Sequence, residues 1–470
     1  MKGETENREL KRTLGFFSVF VLGLSLMVPT TVFIVFGLAS DATNGHVPLV
    51  YIIATVAMLF TVLSYANMVR VYPRAGSAYT YVQQAFNSNL GFFIGWGTLF
   101  DYIFFPIVYV LSITIYLEPL FPGIPVWIWV LAIVLTITLA NIFNVKIAVS
   151  FSMLLLVLQL SIAVVFVALL IKFQLNASAP LFSWEPFMPH NLSLPVILSG
   201  TVILAYNFIG LDAVSTLAEE THNPVKTIPK AMISIALFIG IMYTAVSYFM
   251  QIPFPDISIF SNVDAVTFEI ADKIGGMLVA SVFLGILIFS VIVGGVSAQM
   301  GISRLLYAMG RDNVLPKQVF GYLHPRTRIP VFNIVISGVI SMTAVFLTLD
   351  TAISIISFGA YTAFTFVNLS VIRHYIIKNK MRSIKSIIHY LVFPIIGILF
   401  IALLWSHISE IAIVLGLLWN CIGFIYLLFL TKAFKKPVPT FTIDAGEQVE
   451  HGDDSSGSFS VGSDPHSVKV

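Results

Sequence analysis

VILSGTVILAYNFIGLDAVSTLA (196–218) is an almost unbroken apolar run that carries Asn207, Gly210 and Asp212 near its middle. It is long enough to cross a bilayer, because about 20 apolar residues rising 1.5 Å each span the hydrocarbon core. A carboxylate at that depth costs about 2.5–3.5 kcal/mol on insertion scales. A second run, GFFIGWGTLFDYIFFPIVYVLSITIYL (91–117), carries Asp101 in the same way. Two acids kept at membrane depth are expected to serve something cationic.

The rest of the chain reads the same way. Of its 470 residues, 58% are hydrophobic and 10% charged, and the mean hydropathy is +0.94. Apolar runs recur from residue 16 to residue 431 with short polar interruptions. This composition predicts an all-α integral membrane protein with about twelve transmembrane helices. The spans fall near 16–38, 47–69, 90–117, 125–143, 147–171, 195–219, 230–252, 275–303, 331–349, 352–372, 387–405 and 411–431. A β-barrel is excluded, because its strands alternate apolar and polar residues and these runs are continuous. The expected organisation is a short N-terminus (1–15), a transmembrane domain (16–431) and a tail (432–470). The tail is rich in Ser, Gly and Asp and is expected to be disordered. The charged start and the long apolar run after it read as no cleavable signal peptide.

Several chemistries find no support. A lone cysteine, Cys421, forms no internal disulfide and no cysteine metal site. His190, His222 and His324 fall on loops without metal-ligand spacing, so no metal and no cofactor is expected. Neither a nucleophile–base pair nor a His-Glu-x-x-His motif marks an intramembrane enzyme. Nucleic acid is not an expected partner; the lipid bilayer is.

With the N-terminus inside, all but Lys172 and Lys273 of the 25 Lys and Arg residues fall on cytoplasmic segments. The clusters Arg304, Arg311, Lys317, Arg326, Arg328 and Arg373, Lys378, Lys380, Arg382, Lys385 dominate that count. Both termini are therefore expected in the cytoplasm. The opposite loops hold Asp41, Glu118, Glu185, Asp256, Asp264, Glu269, Asp272, Asp350 and Glu410. Those acids would raise the local concentration of a cation at the entrance.

Two spans carry matching interruptions. FFSVFVLGLSLMVPTTVFIVFGLA (16–39) has Gly23 and Pro29 bracketing its middle, and AYNFIGLDA (205–213) has Asn207 and Gly210. Proline removes a backbone donor and clashes with the preceding turn. Interrupted spans at corresponding positions of two halves are the best pointer to a secondary transporter's binding site. Spans one to five and six to ten would then be the two inverted repeats, with helix breaks at Gly23, Pro29 and Gly210.

Three stretches resemble the amino acid–polyamine–organocation (APC) permeases: YPRAGSAYTYVQQAF (72–86), FIGLDAVSTLAEETHNPVKTIPKA (208–231) and SRLLYAMGRDNVLP (303–316). LSLMVPTTVF (24–33), DATNGHVP (41–48), LFDYIFFPI (99–107) and FMQIPFPDISIF (249–260) narrow the resemblance to the bacterial putrescine importers. The resemblance implies a leucine-transporter-like fold and a bacterial inner-membrane permease importing putrescine or a related diamine by alternating access. The expected drives are the membrane potential and a proton gradient. One departure from the broader family is informative. Amino acid members use a glycine-rich stretch in span one to hold the substrate carboxylate on exposed amides, whereas Val28-Pro29-Thr30-Thr31-Val32-Phe33 stands here. Proline and β-branched residues make a poor anion cradle, and a diamine needs none.

A diamine presents two ammonium groups on an apolar stem, calling for carboxylates and aromatic faces. Asp212 is the first expected ammonium partner, with Tyr206 and Phe208 before it. Asp101 with Tyr102 is the second, and Thr30 joins them from the first break. Glu219 and Glu220 are gate or proton-coupling candidates, with capping of the following turn as the other reading. The alternatives are a neutral or cationic amino acid permease of the same fold, and a sensor that binds without transporting.

Overall fold

In a hydrocarbon core the backbone has no water to bond, so a spanning chain satisfies its amides within helices. The computed structural model describes residues 12–435, other than 75, 144, 189–192, 312, 326 and 328. His190, Arg326, Arg328, the first eleven residues and the tail beyond 435 therefore lie outside the described residues. Among the described residues, ten helices are long and apolar enough to cross a membrane. The broken first span (Phe16–Met27 and Thr31–Ala42) and the short ninth (Val331–Ser341) bring the passes to the expected twelve.

The second span, Val47–Val71, leads into a short helix, Ser77–Ala85, on the N-terminal side of the bundle. The third span, Ser88–Leu120, packs between the eighth (within Val266–Arg311) and the tenth (Leu349–Val371). The second packs along the seventh, Pro224–Gln251. The second, third and tenth spans are the most buried, and the outer ones present aliphatic rows outward. Leu131, Leu135 and Leu139 on the fourth span (Val126–Phe143) recur at helical spacing, as do Val414, Leu418, Ile422 and Ile425 on the twelfth (Glu410–Leu430). An apolar exterior of this kind suits lipid and not water.

The twelfth span is fastened to the third by two tryptophans. Trp96 Nε1 donates to the Trp419 carbonyl at 3.0 Å, and Trp419 Nε1 donates to the Trp96 carbonyl at 2.8 Å. Their rings stack at 5.0 Å.

The helical stretch Val266–Arg311 is two helices that meet at Gly276, whose φ 74° and ψ 176° are not helical. That break agrees with the expected start of the eighth span near 275. The charged turns before it form a separate helix, on which Lys273 lies 4.6 Å over the Phe260 ring, a contact that accommodates a cation near an apolar surface. Two features differ from the sequence reading. The tenth span continues past Val371 as a wider helical turn, Ile372–Lys378. Gly23 is not a helix break. It lies inside Phe16–Met27, where a Cβ would come within 2.4 Å of Ile235 Cδ1 and 2.9 Å of Val214 Cγ2. Its missing side chain lets the first span approach the seventh and the sixth.

Candidate functional site

The first break falls at Val28–Thr30. Val28 adopts φ 47°, ψ 82°, a left-handed conformation that is uncommon for a β-branched residue. Pro29 has no amide proton. The amides that follow are used locally: Thr31 N donates to Val28 O at 2.9 Å and Phe33 N to Thr30 O at 3.1 Å. The second half-helix is held by the Phe33 carbonyl, which accepts from the Thr267 hydroxyl at 2.7 Å and the Tyr116 hydroxyl at 3.4 Å. Thr30 sits at the break, 1% exposed, with a buried hydroxyl that makes no hydrogen bond.

The second break interrupts the sixth span between Leu194–Ala205 and a tighter helix, Asp212–Glu220. Tyr206–Phe208 form a single narrow turn, and Gly210 stands at φ 101°. That conformation is open to glycine at little cost. Asn207 donates through Nδ2 to the Tyr51 hydroxyl at 2.6 Å, and its Oδ1 is buried without a partner. On the same side Tyr243 and Thr31 share a hydroxyl–hydroxyl bond of 3.0 Å. Phe208 packs edge-on to Tyr243, with ring centres 6.3 Å apart.

Both aspartates are buried, Asp101 at 3% and Asp212 at 5% exposure, and they lie near enough for their charges to interact. Asp101 is set by backbone packing. Gly359 on the tenth span presses on it so closely that a Cβ there would fall 2.9 Å from Asp101 N. Asp101 Oδ1 is buried and accepts no hydrogen bond. Tyr102 lies within electrostatic reach of both acids, and Tyr206 within reach of Asp101. Phe105 stands beside Tyr206 at 6.2 Å.

Asp212 opens the tighter helix, its carboxylate beside the amides of Gly210, Ala213 and its own residue. Its carbonyl accepts from Ser215 Oγ at 2.6 Å and from Ser77 Oγ at 3.4 Å. Thus Asp101 has Asp212, Tyr102 and Tyr206 within electrostatic reach, and Thr30 sits at the first-span break. Phe208 turns instead toward the seventh span.

Other residues at the site were not singled out from sequence. Tyr65 and Tyr81 stand within electrostatic reach of Asp212, and Ser77 is bonded to it. Tyr81 and Ser77 lie within the 72–86 stretch. Its family likeness was visible, but its proximity to a residue 135 positions on was not.

Glu219 and Glu220 end the tighter helix and are partly exposed. The Glu220 carbonyl accepts from Thr13 N at 2.8 Å and Leu14 N at 2.9 Å, and His222 N donates back to Leu14 O at 2.9 Å. This short pairing of Leu14 with Thr221 ties the start of the first span to the end of the sixth. On the opposite side Asp264 is half-buried, and burial together with the nearby Asp350 charge raises its carboxyl above the usual range.

Comparison with known proteins agrees with this architecture. The chain is 41% identical to the low-affinity putrescine importer PlaP of Escherichia coli over 443 residues, 93% of this chain and 97% of that protein. It is 27% identical to the branched-chain amino acid permease BcaP of Bacillus subtilis, covering 91% of this chain and 95% of that protein. It is 28% identical to mouse cationic amino acid transporter 4, over 77% of this chain and 60% of that one. Residues 18–450 match the amino acid permease family profile. The chain belongs to the amino acid permease family.

Proposed function

We propose that this permease imports putrescine, or a diamine of the same size, and that Asp101 and Asp212 receive its two ammonium groups. The observation that carries the reading is the state of the first break. Its amides are absent at Pro29 and turned onto local carbonyls at Thr31 and Phe33. With no amide proton at Pro29 and those two amides taken, the break makes a poor cradle for an α-carboxylate, while a dication would find two carboxylates and the rings of Tyr102 and Tyr206. The 41% identity to a putrescine importer along nearly the whole chain supports the same substrate.

Alternating access follows from the two breaks. The half-helices of spans one and six move against the third, eighth and tenth spans, exposing the acids to one side and then the other. The Lys and Arg distribution supports a cytoplasmic N-terminal side in a bacterial cell, and on that reading inward release passes Asp212, Glu219 and Glu220. The membrane potential favours entry of a dication. A proton carried by one of the carboxylates is the second drive, with Glu219 and Glu220 as further candidates.

Competition for labelled putrescine uptake tests the substrate. Unlabelled putrescine is expected to displace the label far below the concentration at which leucine or lysine does; the reverse order sinks the diamine reading. Removing one partner of a buried ion pair costs about 3–5 kcal/mol. Asp212→Asn should therefore weaken binding by roughly two to three orders of magnitude. Full affinity in that variant would remove Asp212 from the site.

A further inference from the structure

We propose that Tyr65 and Tyr81 complete the ammonium position at Asp212, their hydroxyls taking the two N–H groups that the carboxylate leaves over, so that this end of the site selects primary amines. The inference rests on the diamine reading above and extends it to residues not so far given a role.

Tyr65 comes from the second span and Tyr81 from the short helix after it; they are 2% and 0% exposed. Each hydroxyl is buried and closes no hydrogen bond, although Ser77 lies beside the first and Ser215 beside the second. Buried polar atoms are ordinarily paired, and leaving one unpaired is costly. Two on adjoining rings, each beside a serine that bonds the Asp212 carbonyl, set a pair of acceptors next to that residue. The rings meet edge to face at 6.0 Å, and Phe364 holds the far side of Tyr65 at 5.9 Å.

The short helix is braced to present them. Ser77, at its start, is held at φ 46°, a strained value for a residue with a side chain. From there its hydroxyl reaches the Asp212 carbonyl at 3.4 Å. The strain is thus spent on joining this helix to the sixth-span break.

A primary ammonium carries three N–H groups in a tripod. With one directed to Asp212 and one to each tyrosine oxygen, all three are satisfied. A tertiary ammonium has a single N–H, and its two methyl groups would meet the hydroxyls instead.

The test measures binding of putrescine and of N,N,N′,N′-tetramethylputrescine to the full-length protein, wild type and Tyr65→Phe/Tyr81→Phe. Hydrogen bonds to a charged group are worth about 1.5–3 kcal/mol each, or roughly tenfold or more in affinity. The double variant should lose about a hundredfold or more for putrescine while binding the tetramethyl amine as well as, or better than, the wild type does. Each single variant should fall between. A parallel loss for both amines would mean a packing role, and unchanged affinity for both would mean the hydroxyls do not touch the amine; either overturns the inference. Wild-type protein that binds neither amine overturns the diamine reading and this inference with it.

Discussion

Gly359→Ala is a one-carbon change whose consequence can be worked from the packing of two helices. A Cβ at residue 359 would lie 2.7 Å from Asp101 Cβ, 2.9 Å from Asp101 N and 2.9 Å from Gly97 O. Comfortable carbon contacts begin near about 3.5 Å, so the third and tenth spans must separate by roughly 0.8 Å. Two of the three atoms are backbone, and no side-chain rotation relieves them. Overpacking of this kind costs about 1–3 kcal/mol. The displaced group is Asp101 itself, moved away from Asp212 and Tyr206. The variant should bind labelled putrescine about ten- to a hundredfold more weakly and unfold at a lower temperature. Gly285→Ala is the matched control, because a Cβ there meets nothing within 4 Å. If Gly359→Ala binds putrescine and melts as Gly285→Ala does, the close approach of these spans does not set the site.

The pairing of Leu14 with the end of the sixth span predicts a second effect. Leu14→Pro removes one donor to the Glu220 carbonyl, and a net backbone hydrogen bond is worth about 0.5–1.5 kcal/mol. The N-terminal side should open roughly two- to tenfold more often, read as faster labelling of a cysteine placed at Ser215; unchanged labelling would mean that the pairing does not restrain opening. Asp264→Asn addresses the half-buried acid near Asp350. Its raised pKa means the charged form is disfavoured in the folded protein, so folding gains as pH falls through that raised value. The Asn variant should melt roughly a degree higher at pH 7, with the advantage shrinking on acidification and lost below the ordinary aspartate range. An advantage that grows on acidification would reverse the sign and refute the reasoning. Asp101→Asn should weaken putrescine binding without abolishing folding, since an amide keeps the shape beneath Gly359. An unaltered affinity would leave Asp212 as the sole acid in the account.

Hydropathy located the twelve passes, because a bilayer imposes length and apolarity on each one. The interruption near Asp212 was also legible: Asn, Gly and Asp together have no reason to sit inside an undisturbed apolar helix. Gly23 shows the limit. A glycine that permits a bend and one that permits a close approach look alike in sequence, and only the packing of Ile235 and Val214 against it distinguishes them. The start of the eighth span was legible: Glu269, Asp272 and Lys273 end the hydropathy window, and the helix that carries them is broken from the span at Gly276. Tyr65 gave no local signal, and Tyr81 none beyond the family likeness of its stretch. A tyrosine acquires its role from what lies near it, and here that is an aspartate on another span.

Flux of labelled putrescine into proteoliposomes, with potential and pH gradient imposed separately, tests the central claim most directly. Two charges crossing 100 mV gain about 4.6 kcal/mol, or roughly three decades of accumulation at equilibrium. The account predicts concentrative uptake under an inside-negative potential alone, a further rise with an inward proton gradient, and little inhibition by α-amino acids. Putrescine that fails to accumulate under any gradient, while leucine or lysine does, would contradict it.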